Sequence, residues 1–115
     1  MAEELKKDAG EKQQDVGQAQ IEQWKARYGK VYALEGEELT VYCRKPGRAE
    51  MARFAKELQR DLYRASWNLL VACRLHPDVA VLQQISEEKP GVILSLAGEL
   101  AELSGANTAF LSRAL

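Results

Sequence analysis

Histidine and cysteine are scarce in this chain, whose 115 residues include one histidine and two cysteines. Cys43 and Cys73 lie in separate apolar stretches, and no C-x-x-C or C-x-x-H spacing occurs. Because a structural zinc site takes four Cys or His ligands at such spacings, we expect no metal centre. We expect both cysteines to be reduced and buried, as is usual in a cytosolic protein, with a Cys43–Cys73 disulfide as the alternative.

Long apolar runs are also missing. The opening residues, MAEELKKDAGEKQQ, lack the apolar centre of a secretory signal. The longest uncharged stretch, Leu103 to Ser112, is far shorter than the ~20 residues that cross a bilayer. The net charge of −1 gives no overall attraction to nucleic acid or to an anionic membrane. We therefore expect a cytoplasmic protein with no nucleic-acid partner and no membrane partner.

The pattern of apolar residues predicts a mainly α (α+β) fold, a small helical bundle with one N-terminal β-hairpin. Residues 1–20 are charged and Gln-rich, so we expect a flexible segment there and a single helical domain over residues 21–115. β-branched and aromatic residues predict the hairpin at about residues 30–43. Helical spacing predicts helices over 21–28, from 48 to about 60, from 62 to the His76-Pro77 step, over 78–87 and over 90–103. For residues 106–115, a loose helix and a segment packed back on the bundle both remain open.

The helices and one face of the hairpin supply the expected core. Two strands alone are marginal in water, so one hairpin face must lie on the helices, and we expect that face to carry Tyr32 and Leu34. The helix around Leu69 and Leu70 is apolar nearly all round, which is typical of a core helix. The expected core residues are Phe54, Leu58, Leu62, Leu69, Leu70, Leu82, Ile85, Ile93, Leu96 and Leu100.

Candidate catalytic groups are few. His76 could act as a base oriented by Asp78, but His-Pro-Asp between two helices is an ordinary stop with Asp78 as the next N-cap. The pairs Glu37-Glu38 and Glu87-Glu88 are adjacent in sequence, and adjacent residues do not face each other. Because no base, nucleophile and oxyanion donor occur together, we expect no enzyme, no catalytic residue and no cofactor.

A local excess of positive charge runs from Arg44 to Arg64. Seven Lys or Arg residues stand there against Glu50, Glu57 and Asp61, and a basic amphipathic helix is what a nucleic-acid binder presents. The competing interpretation is a solvated helix face with ion pairs one turn apart, such as Glu57 with Arg60. The overall charge favours this second interpretation.

The last predicted helix, residues 90–103, is apolar over most of its surface. Only Ser95, Glu99 and Glu102 form a polar strip, so this is either the central helix of the bundle or a helix that also meets a partner chain. Phe110 and Leu111 add further apolar surface that the predicted core does not use. The residues predicted to bind a partner are Leu94, Gly98, Ala101, Phe110 and Leu111.

The run IEQWKARYGKVYALEGEELTVYCRKPGRAEMARFAKEL, residues 21–58, resembles bacteriophage and prophage tail assembly chaperones, small proteins encoded near the tape-measure protein. The likeness extends to about residue 104. It rests on a W-K-x-x-Y-G-x-V-Y entry into a strand and an R-K-P-x-R-x-E turn into a helix, although Gly47 stands where a Thr or Ser cap is expected. The matching residues are Trp24, Lys25, Tyr28, Gly29, Val31, Tyr32, Arg44, Lys45, Pro46, Arg48 and Glu50.

This resemblance implies a binding protein of the bacterial host cytoplasm. It would bind the tape-measure protein, keep it soluble until the tail-tube protein polymerises around it, and would itself be able to self-associate. Its motifs are structural rather than catalytic. The alternative function is a small nucleic-acid-binding regulator that uses the basic 44–64 face.

Overall fold

The computed structural model describes residues 16–115. Within that range five helices and three strands follow one another, and the α+β fold class is confirmed. In chain order the elements are α1 (Gln18–Tyr28), β1 (Val31–Glu35), β2 (Thr40–Arg44), α2 (Arg48–Leu58), α3 (Leu62–Cys73), β3 (Arg74–His76), α4 (Val79–Glu88) and α5 (Pro90–Leu103).

Helix α1 begins earlier than expected. The carbonyl of Gly17 accepts from the N–H groups of Gln20 and Ile21, so residues 18–20, which the sequence assigns to the flexible segment 1–20, belong to this helix. The rest of that segment, residues 1–15, lies outside the described residues. The helix ends at Gly29, whose φ of 86° is the left-handed conformation that glycine adopts readily.

The predicted hairpin is present, and a third strand joins it. Strands β1 and β2 are antiparallel, with Val31 opposite Arg44 and Glu35 opposite Thr40. Strand β3 adds to the other edge of β2, giving the order β1-β2-β3. Helical spacing predicts helix up to the His76-Pro77 step, but α3 stops at Cys73. Pro77 forces the residue before it into an extended conformation that can pair with β2.

The core lies between the sheet and helices α3, α4 and α5. Of the expected core residues, Phe54 and Ile85 are partly buried and pack against the core, as do Tyr32 and Leu34 of the hairpin. Leu58 and Leu62 are 36% and 55% exposed, so their assignment to the core is wrong; they flank the α2–α3 corner at the edge of the bundle. The buried apolar residues of the core cluster are Val41, Cys43, Leu69, Leu70, Cys73, Leu82, Ile93, Leu96 and Leu100.

Several polar and ionisable groups lie in this core or at its edge. Ser66 is buried, and its hydroxyl donates to the carbonyl of Leu62 at 2.8 Å. Asp61 caps α3, because its carboxylate accepts from the backbone N–H of Arg64 at 3.0 Å. Cys43 and Cys73 are free and buried, and burial raises the pKa of Cys43 to about 12 and that of Cys73 to about 11. Both thiols are therefore protonated at neutral pH.

Candidate functional site

A groove of about 840 Å³ opens between the tip of the hairpin and helices α4 and α5. Residues 33–39 of the hairpin form one wall, residues 81–89 the second and residues 92–99 the third. Helices α4 and α5 are joined by Lys89 alone, which ends one helix and precedes the other, so their polypeptide turns sharply beside the hairpin. A volume of this size is in the range of sites that take a ligand or several side chains of a partner.

The floor of the groove is apolar and only partly covered. Leu34, Val81, Ile85 and Val92 are half-buried side chains, and Leu39 lies beside them at the hairpin turn. The hairpin turn that holds this wall is closed by the Gly36 N–H, which donates to the carbonyl of Leu39 at 2.8 Å. Apolar side chains that remain half-exposed in one concave surface gain free energy when a partner covers them.

The rim of the groove is acidic. Five glutamates and one lysine line it, and the lysine is Lys89 at the α4–α5 corner. The charges on one rim sum to a negative potential, which attracts a positively charged partner and repels a negatively charged one. The rim glutamates are Glu35, Glu37, Glu38, Glu88 and Glu99.

A second depression, of about 750 Å³, lies at the base of the same hairpin and has the opposite charge. We call it the basic cleft. Tyr28 and Tyr32 supply its aromatic surface, and the Arg27 guanidinium lies 5.3 Å from the centre of the Tyr28 ring. The lining cations are Arg27, Lys30, Arg44 and Lys45.

Arg44 is a structural part of this cleft. Its guanidinium forms an ion pair with the carboxylate of Glu50 and also donates to the carbonyl of Ala72 at 3.0 Å. The hydrogen bond from Arg44 lowers the pKa of Glu50 and raises that of Arg44 itself. Glu50 also accepts from the N–H of Gly47 at 2.9 Å, which makes up for the missing side-chain cap of α2.

The predicted basic 44–64 face is divided by ion pairs. Arg44 is held by Glu50, and the Arg53 Nε lies 3.4 Å from an oxygen of Glu57. Glu57 also accepts from Asn68 at 2.9 Å, so this carboxylate links α2 to α3. The expected partner of Glu57 was Arg60, one turn along; the structure pairs it with Arg53 instead.

The residues predicted to bind a partner do not form one surface. Leu94 is 37% exposed and Gly98 is exposed, both on the outer face of α5. Ala101 lies about two turns after Leu94 on the same side of α5, but it is only 7% exposed, so its assignment to a partner surface is wrong. The fold covers this end of α5, where Ser104 bonds to the carbonyl of Pro46. Phe110 and Leu111 are 89% and 100% exposed and lie beyond the end of α5.

The remaining candidates from the sequence are separate from one another. His76 is half-buried at the end of β3, its ring 6.2 Å from that of Tyr42, and within residues 16–115 its Nε2 finds no hydrogen-bond partner. Asp78 begins α4 without a side-chain cap bond. Glu37, Glu38 and Glu88 lie on the rim of the groove. In the same range, no three His, Cys, Asp or Glu side chains are placed to hold a metal ion, and no helix is long and apolar enough to cross a membrane.

The groove itself was not predicted, since its walls come from three separate stretches of sequence. A signal did exist. The sequence of α5 has more apolar residues than one buried face needs. One of them, Val92, lines the groove, whereas Leu94 lies on the outer face of the helix. Val92 and Leu94 are two positions apart, which is about 200° around the helix, so they lie on opposite sides of it.

Comparison with known proteins places the chain in a family. Residues 24–113 match the family described as a domain of unknown function, DUF6848. The chain belongs to this family. Its fold is similar to the structure of uncharacterised protein rbstp2171 from Bacillus stearothermophilus, with a TM-score of 0.68 and 33% sequence identity over 80% of this chain and 98% of that one. A search of curated proteins finds no match.

Proposed function

We propose that this member of the DUF6848 family is a tail assembly chaperone of a bacteriophage or prophage, acting in the host cytoplasm, and that it binds an apolar segment of the tape-measure protein in the groove. The observation that carries the proposal is the groove, with its half-exposed apolar floor and acidic rim. The motif resemblance of residues 21–58 supplies the class of client.

The floor suits an amphipathic helix. A helical client places apolar residues at i, i+3, i+4 and i+7 along one face, and a groove walled by two helices and a hairpin can accept such a ridge. Each large side chain that the client buries contributes about 1.5–3 kcal/mol before the cost of association is subtracted. Two or three anchors then leave at most about 5 kcal/mol after that cost, which gives a weak and reversible complex, as a chaperone that must later release its client needs.

The rim selects the client by charge. Glu35, Glu37, Glu88 and Glu99 surround the apolar floor with Lys89 as the opposing charge, so a segment with flanking Lys or Arg residues binds best. Acidic flanking residues would meet like charge at short range. The client segment is therefore expected to be apolar on one face and basic at its borders.

The test is coexpression with the tape-measure protein. We expect its gene just downstream, as a very long reading frame whose product has helical periodicity. The chain should raise the soluble fraction of that protein. Val81→Glu, which places a charge on the groove floor, should abolish the effect, and Ser95→Arg, at an exposed position on the groove wall, should weaken it. Circular dichroism melting checks that both variants fold.

Leu94→Glu is the matched control, because Leu94 lies on the outer face of the same helix. If Val81→Glu and Ser95→Arg fold and still solubilise the client while Leu94→Glu does not, the client binds the outer face and the groove proposal is wrong. If the wild-type chain does not solubilise the tape-measure protein at all, the chaperone proposal itself is wrong.

Nucleic-acid binding is the second candidate function, and the basic cleft is the observation that favours it. Arg27, Lys30 and Lys45 are exposed there beside two tyrosines, a combination that can hold phosphates and stack on bases. It ranks second because Arg44 and Arg53, two cations of the predicted basic face, are engaged by carboxylates of the chain itself.

A further inference from the structure

The residues that follow α5 form an exposed apolar segment. We call residues 108–115 the exposed segment. Phe110 is 89% exposed, and Leu111 and Leu115 are fully exposed, so the described part of the chain, residues 16–115, buries almost none of these side chains. Three large apolar side chains this close together and this exposed are unusual in a folded protein and mark a surface that another molecule covers.

A hydrogen-bonded turn fixes where this segment leaves the body. The N–H of Ala106 donates to the carbonyl of Ala101 at 3.0 Å, and the N–H of Thr108 donates to that of Gly105 at 3.2 Å. The hydroxyl of Ser104 donates to the carbonyl of Pro46 at 2.7 Å, which ties the turn to the base of the hairpin. The groove lies at the other end of the hairpin, beside its tip.

The exposed segment matches the groove in both polarity and charge. In a helical conformation Phe110, Leu111, Ala114 and Leu115 share one side, since they are spaced at i, i+1, i+4 and i+5. Arg113 is the single charged residue between residue 103 and residue 115. The apolar ridge and single cation of the segment are therefore complementary to an apolar floor whose rim carries more glutamate than lysine.

We propose that the exposed segment of one copy of this chain binds in the groove of a second copy. The turn at residues 104–107 leaves the segment outside its own groove, with its apolar side chains exposed, and a neighbouring copy offers a groove with the same floor and rim. This inference goes beyond the chaperone proposal and needs no client. It adds a consequence for the client, because segment and client compete for one groove.

The experiment measures the mass of the purified full-length chain by sedimentation equilibrium across the micromolar range, without a client. The wild-type chain should associate as its concentration rises. Phe110→Ser with Leu111→Ser removes the anchors, and Val81→Glu disables the groove; each should weaken association about tenfold or more. Ser95→Arg serves in place of Val81→Glu if that variant does not fold. Leu94→Glu should associate like the wild-type chain.

Mixing the two defective variants separates binding to a second copy from binding within one chain. The Phe110→Ser, Leu111→Ser variant keeps its groove, and Val81→Glu keeps its segment, so an equimolar mixture should form one-to-one heterodimers at concentrations where each variant alone is largely monomeric. Arg113→Glu should weaken wild-type association about two- to fivefold, and adding Glu88→Lys and Glu99→Lys should restore it.

Three results would overturn the inference: a wild-type chain that stays monomeric throughout the range, variants that associate as strongly as the wild-type chain, or a mixture that remains monomeric. None of them bears on whether the chain solubilises the tape-measure protein. Failure here and failure of the chaperone proposal are therefore distinguishable.

Discussion

The groove and the basic cleft lie at opposite ends of one hairpin, and they are built in different ways. The groove is bordered by the hairpin tip and by two consecutive helices much later in the sequence, and its floor is continuous with the apolar core through Ile85 and Val92. The cleft is formed by residues 27–32 and 44–45, and an Arg44–Glu50 ion pair fixes one wall. One site is held by apolar packing and the other by charge.

This difference suggests a division of labour along the hairpin. A surface of half-exposed apolar side chains with an acidic rim can bind a protein segment, since apolar burial drives association and charge selects the partner. A cleft of exposed cations and tyrosines gains little from burial and would act through salt-dependent electrostatics. The two sites therefore predict different responses to core mutations, to pH and to ionic strength.

The largest expected effect separates the groove floor from the core beneath it. Leu82 and Val81 are adjacent on α4, but Leu82 is fully buried and Val81 lines the groove. Leu82→Ala should lower the free energy of unfolding by about 2–5 kcal/mol, through lost burial and the cavity it leaves. Val81→Ala should cost less than about 1 kcal/mol, because its side chain is already partly exposed.

Urea unfolding followed by circular dichroism measures both values. Leu69→Ala, in the centre of α3, is expected to behave like Leu82→Ala and serves as the reference for a core residue. Equal costs for the two α4 variants would show that Val81 belongs to the core and that the groove floor is not an accessible surface.

A smaller effect tests whether charge holds the cleft. Glu50 accepts hydrogen bonds from Arg44 and from the N–H of Gly47, whereas Glu35 on the groove rim is exposed. Glu50→Gln should cost about 1–2 kcal/mol at neutral pH. Glu35→Gln is the matched control and should change stability by no more than about 0.5 kcal/mol.

The pH dependence of this cost has a definite sign. The pKa of Glu50 is lowered in the folded chain, mainly by the hydrogen bond from Arg44, so its ionised form stabilises the fold. That contribution is complete above the ordinary carboxyl pKa of 4.5 and is lost as the pH falls below it. The difference between the wild-type chain and Glu50→Gln should therefore shrink in acid. A difference that stays constant down to pH 3, at roughly the lower end of carboxyl titration, would mean that Glu50 acts through packing alone.

The parts of the fold that could be predicted are those encoded by local patterns. Helical spacing predicted α2 to α5, and the two β-branched runs around residues 35–38 predicted the hairpin together with the inward face of Tyr32 and Leu34. Strand β3 could not be predicted, because three residues carry no periodicity and become a strand only when the edge of β2 is beside them.

The sites depend on placement that no local pattern contains. Leu34, Val81 and Val92 each look like ordinary core residues in their own segments, and only the tertiary fold leaves them half-exposed in one groove. Ala101 is the opposite case, because it was predicted to bind a partner and is buried. A small residue on an apolar helix is equally compatible with a contact surface and with the core. The cleft could not be predicted for a different reason. Arg27 and Lys30 precede the basic stretch at residues 44–64, and the charge of Arg44 within that stretch is neutralised by Glu50.

The smallest effect is expected at the basic cleft. If the groove is the functional site, binding of generic duplex DNA at physiological salt should be weaker than the ~10⁻⁴–10⁻⁶ M of ordinary non-specific binders. Lys30→Glu with Lys45→Glu should then leave client solubilisation unchanged, because both residues lie at the far end of the hairpin from the groove. Fluorescence anisotropy with a labelled duplex measures the DNA affinity, and the coexpression assay measures the second effect. One set of results would reverse the ranking of the two sites and favour the regulator. The chain would bind DNA with micromolar affinity, and that affinity would fall steeply with added salt. It would be lost in Lys30→Glu, Lys45→Glu and would persist in Val81→Glu, because only phosphate contacts at the cleft produce that combination.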